Sequence, residues 1–170
     1  MITLRQFQTS DAELLVTYLN TPDVTQYITG AIPSPYTVDD ALWWIEHANQ
    51  TDHIKAIEYQ GQFVGCISAT VGQFEYNNSA ELGYWIGKQF WNLGITTEAV
   101  KQFSESLFST NKLNRLFVSV VAQNKASIRV LEKNGFSLEG VLKNASFKVD
   151  ARTGVKQYFD EHLLAKVASS

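Results

Sequence analysis

Two rhythms of apolar positions run along the chain, and each switch between them marks an element. Ile2 and Leu4, with Phe7 beyond, predict a short first strand. Ser10-Asp11-Ala12-Glu13 then reads as a capping box that opens a helix through about Asn20, and Thr21-Pro22-Asp23 ends it. The stretch Gly30 to Pro35 holds the other two prolines and predicts a loop, after which Thr37-Val38-Asp39-Asp40 restarts a helix carrying Leu42, Trp43, Trp44 and Ile45. From His53 the period drops to two. Ile54 to Tyr59, a turn at Gln60-Gly61 and Phe63 to Ala69 predict a hairpin, and Ala80 to Ile86 a third strand after Asn77-Asn78. Helical spacing returns from Ile95 to about Phe108, with Ala99, Val100, Phe103 and Leu107 on one stripe. Arg115 to Val121 is a β-branched run suited to a buried strand. Asn124 caps a short helix that Asn134-Gly135 stops, and two last strands cover Phe136 to Val149 and Val155 to Leu164 around a loop at Asp150 to Gly154. Hairpins mixed with crossover helices predict an α/β sheet covered by helices.

Composition narrows what such a sheet does. At 170 residues the chain is expected to form one domain, 1–170, and 45% apolar content supplies a core. With 14 basic and 17 acidic residues and a formal charge of −3, it lacks the basic footprint of a nucleic-acid binder. A single cysteine, Cys66, makes no internal disulfide and no thiolate cluster. His47, His53 and His162 lack metal spacing and read as surface or strand-end residues, so no metal is expected. No apolar run approaches a membrane span and the N-terminus lacks a signal core, so no membrane partner and a cytoplasmic location are expected.

Two stretches carry candidate chemistry. From Trp91 to Thr97 a strand gives way to a helix through Asn92, Leu93 and Gly94, and the amides of Ile95, Thr96 and Thr97 would sit free at the positive end of the helix dipole. Such a turn suits a pyrophosphate, although an ordinary strand-to-helix turn with one glycine has the same look. The second stretch runs from Asn124 to Phe136. On a helix, Asn124, Ser127 and Leu131 share one face, where a polar cap and a hydroxyl could line an extended ligand or simply serve as cap and filler.

Taken together, Ala80 to Ile86, Trp91 to Ala99, Leu113 to Leu116, Asn124 to Phe136 and Glu139 to Lys143 resemble the GNAT superfamily of acyl-CoA N-acyltransferases. Within it, the chain is similar to the ribosomal-protein serine/alanine N-terminal acetyltransferases, the RimJ/RimL type. The resemblance implies a mixed, mostly antiparallel sheet whose central strands splay, with helices on both faces. It implies acetyl-CoA as cosubstrate, its pantetheine arm along Glu81 to Ile86 and held by backbone near Trp85 and Ile86. The pyrophosphate would lie on Asn92, Leu93, Gly94, Ile95, Thr96 and Thr97, and Asn124 would touch the arm from the other side. The family loop has glutamine or arginine at the place of Trp91 and glycine or alanine at that of Thr96, so only Gly94 of the strict pattern remains; Asn92 suits the left-handed conformation that a glycine would supply. Many relatives place an acid tyrosine where this chain has Leu131. The ribosomal-protein branch has a serine where this chain has Ser127, which makes Ser127 the candidate for contacting or protonating the sulfur.

Acetyl transfer needs a neutral amine, a polarised carbonyl and a path for protons. An α-amine with a pKa near 8 is roughly a tenth free base at neutral pH, so a modest base suffices. Glu81 opens the strand that would face the acetyl group and is the candidate base; its plain alternative is a charged edge residue or an ion-pair partner. Glu98 is assigned to helix packing or dipole compensation, Tyr84 to packing, and Ser119 stands where some relatives carry a glutamate. Oxyanion stabilisation is expected from a main-chain amide near Trp85. Lys125, Arg129 and Lys133 form a basic strip that either meets a nucleotide phosphate or faces solvent. Tyr27, Tyr36, Trp43, Trp44 and the Asp150 to Gly154 loop either line an acceptor groove or pack helices. The leading expectation is a monomeric or homodimeric enzyme that acetylates the α-amine of a protein or peptide. A small-amine acetyltransferase (polyamine, amino acid or aminoglycoside) and a non-catalytic acyl-CoA-binding regulator are the alternatives.

Overall fold

The computed structural model describes residues 1–110 and 113–168. Its elements run β1 (Ile2–Arg5), α1 (Ala12–Leu19), α2 (Pro22–Thr25), α3 (Val38–Ala48), β2 (Ile54–Tyr59), β3 (Gln62–Val71), β4 (Ser79–Ile86), α4 (Ile95–Thr110), β5 (Arg115–Val121), α5 (Lys125–Lys133), β6 (Ser137–Val149) and β7 (Lys156–Val167). Each predicted element is present, with three local differences. Asp11, not Ser10, stands at the start of α1, and its carboxylate serves the turn before the helix and not the helix amides: it accepts from the Gln8 amide at 2.8 Å and holds the Arg5 guanidinium in a two-pronged pair at 2.8 and 2.9 Å. A buried carboxylate with a fixed cation outcompetes a hydroxyl for that turn. Pro22 ends α1 but also opens α2, because its fixed φ suits the first helical position. His162 lies within β7, paired with Val120 and Val141, and so is not a strand-end residue.

One seven-stranded sheet has the order β1-β2-β3-β4-β5-β7-β6. Every neighbouring pair is antiparallel except β4 and β5. Those two run parallel and join at only three positions, Ser79 with Arg115, Ala80 with Leu116 and Glu81 with Phe117. Beyond Glu81, β4 stays with β3 up to Ile86 and β5 stays with β7 up to Val121, so the sheet opens at its centre.

The period of two in β4 divides the protein into two cores. Ala80, Leu82, Tyr84 and Ile86 face one way, into a cluster built with Leu116, Val118 and Val120 of β5, Ile95, Val100, Phe103 and Leu107 of α4, and Ile128 and Leu131 of α5. On the other face Trp85 joins Phe7, α1 and α3 through Leu15, Tyr18, Ala41 and Ile45, with Phe63 and Cys66 below them. Tyr18 stacks on Phe63 at 6.0 Å and meets Trp85 edge-on at 6.2 Å. Helices therefore cover both faces, yet α1 and α3 sit over the β2 and β3 side and leave the Glu81 end of β4 open. Cys66 is buried in this second core, which pushes its thiol up to about 12 and keeps it inert. Among the described residues no helix is long and apolar enough to cross a membrane.

Candidate active site

The opening in the sheet is the centre of the site, because it leaves backbone groups without a strand partner. The register between β3 and β4 is unbroken from Val71–Ala80 to Gly65–Ile86, and bonds from Gly72 N–H to Ser79 O (2.9 Å) and from Gly87 N–H to Val64 O (2.8 Å) mark its two ends. Odd-numbered residues of β4 thus spend their amides and carbonyls on β3, and those of Leu82, Tyr84 and Ile86 turn toward β5. Trp85 was expected to hold a ligand through its backbone, but this alternation gives its amide to β3. The cleft-facing groups belong to Tyr84 and Ile86. The Ile86 carbonyl already accepts from the Trp91 indole N–H at 3.1 Å, a bond that ties the following turn to the strand end.

That turn leads directly into α4. Asn92 has φ 62° and Gly94 φ 75°, so both adopt the left-handed conformation, as expected for Asn92. A Cβ added at Gly94 would meet nothing within 4 Å, so the space before the helix is open. The first helical bond runs from Glu98 N–H to Gly94 O at 3.1 Å, which leaves the amides of Ile95, Thr96 and Thr97 ahead of it without an intrahelical acceptor. Leu93 projects into solvent and the Ile95 side chain packs in the core, so both present only backbone to this space. Glu98 accepts from Gln102 at 2.9 Å, in keeping with a packing role. Two left-handed residues, an open approach and three free amides at the positive end of a 16-residue helix fit a diphosphate.

α5 closes the other side. Asn124 caps it, its Oδ1 accepting from Ser127 N–H at 3.2 Å. Leu131 is fully buried and offers no chemistry. The hydroxyl of Tyr84 reaches across from β4 to lie 2.7 Å from Ser127 Oγ and 3.3 Å from Ser127 O. Its partner was hidden in the sequence, because β4 and α5 are 43 residues apart. The parity of β4 was the one available signal, since it places Tyr84 on the helical face. Burial pushes the phenol up to about 12, so it stays protonated at neutral pH and can donate to Ser127 O, while either hydroxyl of the Tyr84–Ser127 pair can be the donor to the other.

Glu81 sits on the opposite face, at the last joint between β4 and β5. Partial desolvation raises its carboxyl above the usual carboxylate range. The charge of Glu161 adds to the rise, and a hydrogen bond from the Ser119 amide opposes it. Glu161 pairs with Val121 and Leu142, a placement that depends on the β7 register and was not readable from the sequence. Of the expected acceptor aromatics, Tyr36 is buried and Trp44 packs against Phe7 at 6.5 Å, so both belong to the core. Tyr27 and Trp43 are exposed, with Trp43 stacked on His47 at 5.2 Å.

A splayed sheet with an amide-rich helix start at its mouth is the arrangement that the GNAT resemblance implies, and comparison with known proteins agrees. Residues 1–137 match the model of the acetyltransferase (GNAT) domain. The chain is 30% identical over 151 residues to the N-acetyltransferase p20 of Bacillus licheniformis, covering 84% of this chain and 83% of that one. It is 33% identical over 94 residues to the ribosomal-protein-serine acetyltransferase of Escherichia coli, covering 55% of this chain and 49% of that one. Among solved structures it matches the microcin C7 self-immunity acetyltransferase MccE, in complex with acetyl-CoA and AMP, with a TM-score of 0.80 and 26% identity over 98% of this chain and 92% of that one. RimJ of Mycobacterium smegmatis, in complex with CoA-disulfide, shares the fold with a TM-score of 0.83 at 22% identity, over 98% and 82% of the two chains. The chain belongs to the GNAT acetyltransferase family. It is an acetyl-CoA-dependent N-acetyltransferase, and the ribosomal-protein branch that its sequence resembles is among its relatives.

Proposed function

We propose that this enzyme acetylates the α-amine of a protein or peptide, by direct attack of the amine on the thioester. The observation that carries the reading is the placement of two proton-handling groups on opposite sides of one opening: Glu81 on the open face, and Ser127, backed by Tyr84, on the helical face. Acetyl-CoA supplies the activated acyl group. Asn92 to Thr97 hold its diphosphate through backbone amides, Asn124 borders its arm, and the amides of Tyr84 and Ile86 lie beside the carbonyl.

Each group then has a defined task. The amine nitrogen approaches from the open face and its bond to the carbonyl carbon forms as the carbon–sulfur bond breaks. Glu81 takes the proton from nitrogen, directly or through one water, a task that its raised carboxyl pKa favours over that of an ordinary glutamate. Tyr84 stays protonated and donates to Ser127, so the serine hydroxyl is free to give its own proton to the departing sulfur. Water returns the proton held by Glu81 to Ser127, and the balance is amine plus thioester to amide plus thiol. The α-amine is favoured over a lysine side chain because roughly a tenth of it is already free base at neutral pH, against well under a thousandth for lysine. The resemblance to a ribosomal-protein-serine acetyltransferase supports the same acceptor class.

The test is thiol release from acetyl-CoA on a panel of peptides with free N-termini, N-terminally blocked lysine peptides and small amines, with mass spectrometry locating the acetyl group. Transfer to the α-amine is the expected result. Turnover confined to small amines, or tight acetyl-CoA binding with no turnover, would replace the reading with one of the two alternatives.

A further inference from the structure

Directly below Glu81 the same sheet face opens into a second cleft of about 530 Å³, within the roughly 300–1,000 Å³ usual for ligand sites. Its floor continues the catalytic strands: Phe117 is the strand partner of Glu81, Leu163 is the partner of Ser119, and Ser79 precedes Glu81 by two residues. Two residues of strand span about 6.6 Å, so the cleft begins one pleat below the carboxylate. Its walls combine Tyr76, Phe117, Leu163 and Val167 with the side-chain amides of Asn78 and Asn114.

The rim is a shaped loop. Phe74 adopts φ 54°, a conformation rare for a bulky residue, and its ring is 83% exposed. A single 3-10 turn, Phe74–Tyr76, is closed by bonds from Tyr76 N–H to Gln73 O (3.0 Å) and from Asn77 N–H to Phe74 O (3.2 Å). The turn lies so close to the end of β3 that a Cβ at Gly72 would stand 2.6 Å from Tyr76 O and 2.7 Å from Tyr76 Cβ. Sequence and backbone thus hold an exposed tyrosine at the mouth of a cleft, where burial gives no reason to keep it. Strain and exposed aromatics of this kind gather where ligands bind.

We infer that this cleft is the acceptor subsite for the second and third residues of the peptide whose α-amine lies at Glu81; the inference rests on the reading of Glu81 as the base. The one-pleat offset matches the reach of an extended chain leaving the amine. Each Asn side chain offers both a donor and an acceptor, the pairing that a peptide group needs, and the aromatic walls take its side chains. A polyamine would find Glu75 on the same wall, beside an Arg115 already paired with Glu139 at 2.9 Å, but its methylenes carry no amide groups for the two Asn side chains to pair with. A lone amino acid would leave the cleft unfilled.

The experiment compares kcat/KM for a tetrapeptide amide with that for the amide of its first residue alone, in the full-length enzyme and in Tyr76→Ala and Tyr76→Phe. The wild type should prefer the tetrapeptide at least tenfold. Tyr76→Ala should lower that ratio at least fivefold, and Tyr76→Phe should keep it. Equal use of the two acceptors by the wild type, or a ratio unmoved in Tyr76→Ala, overturns the subsite while leaving the α-amine reading intact. A preference for spermidine that is lost in Tyr76→Ala assigns the cleft to polyamines and overturns the inference. Absence of turnover with any amine removes both the reading and the subsite.

Discussion

The two faces of β4 make opposite use of the same strand. On the helical side, Ala80, Leu82 and Ile86 are almost completely buried beneath α4 and α5, and their task is to exclude water. On the other side, Glu81 and Gly83 stay accessible, and Glu81 has the Ser119 amide and Glu161 near it instead of a helix. Tyr84 is the exception that joins the two, a residue on the packed face whose hydroxyl emerges at Ser127. One face is packed along its whole length, and the other is packed at Trp85 and open at Glu81. A strand needs nothing beyond its period of two to keep them apart.

That division is tested most severely from the packed side. Leu131→Ala opens a cavity under α5 at a site with no solvent exposure and should cost about 2–5 kcal/mol, read from the midpoint of urea unfolding. From the open side, Glu81→Gln should lower turnover by about 100-fold, roughly 2.7 kcal/mol in the barrier, while the unfolding midpoint stays within about 0.5 kcal/mol of wild type. Equal losses of stability in the two variants would break the comparison. Ser127→Ala removes one hydrogen bond to a developing charge and should slow turnover about tenfold, with coenzyme A affinity measured by calorimetry nearly unchanged. Gly94→Ala places a side chain in the left-handed region at a cost of about 1 kcal/mol and should weaken coenzyme A binding in the same titration.

The finest test uses pH. Glu81 works as a base only when ionised, so kcat/KM should rise as pH passes upward through its elevated pKa. Glu161→Gln removes a like charge that favours the protonated form. The pKa of Glu81 should then fall, and the acid limb of the profile should move to lower pH. A limb that moves upward, or stays in place, would remove Glu161 from the electrostatics of the site.

The physical periods in the sequence account for what was legible. Every strand and long helix follows from alternation or from a stripe, and the left-handed turn at Asn92 and Gly94 follows from residue types that tolerate it. What stayed hidden depends on register between distant segments. Tyr84 meets Ser127 and Glu161 meets Glu81 only because segments far apart in the chain align at particular residues, which no local pattern encodes. The cap before α1 was misassigned for a related reason. Ser10 satisfies the local rule, but Arg5 of β1 arrives to fix Asp11 instead.

Asn134, buried at the end of α5, donates to Val130 O at 2.8 Å and also to Thr97 O in the first turn of α4 at 3.1 Å. One carboxamide thus clamps the start of the first helix to the end of the second. On the proposed reading these two helices flank the coenzyme, and the bond ties the wall at its diphosphate to the wall that carries Ser127.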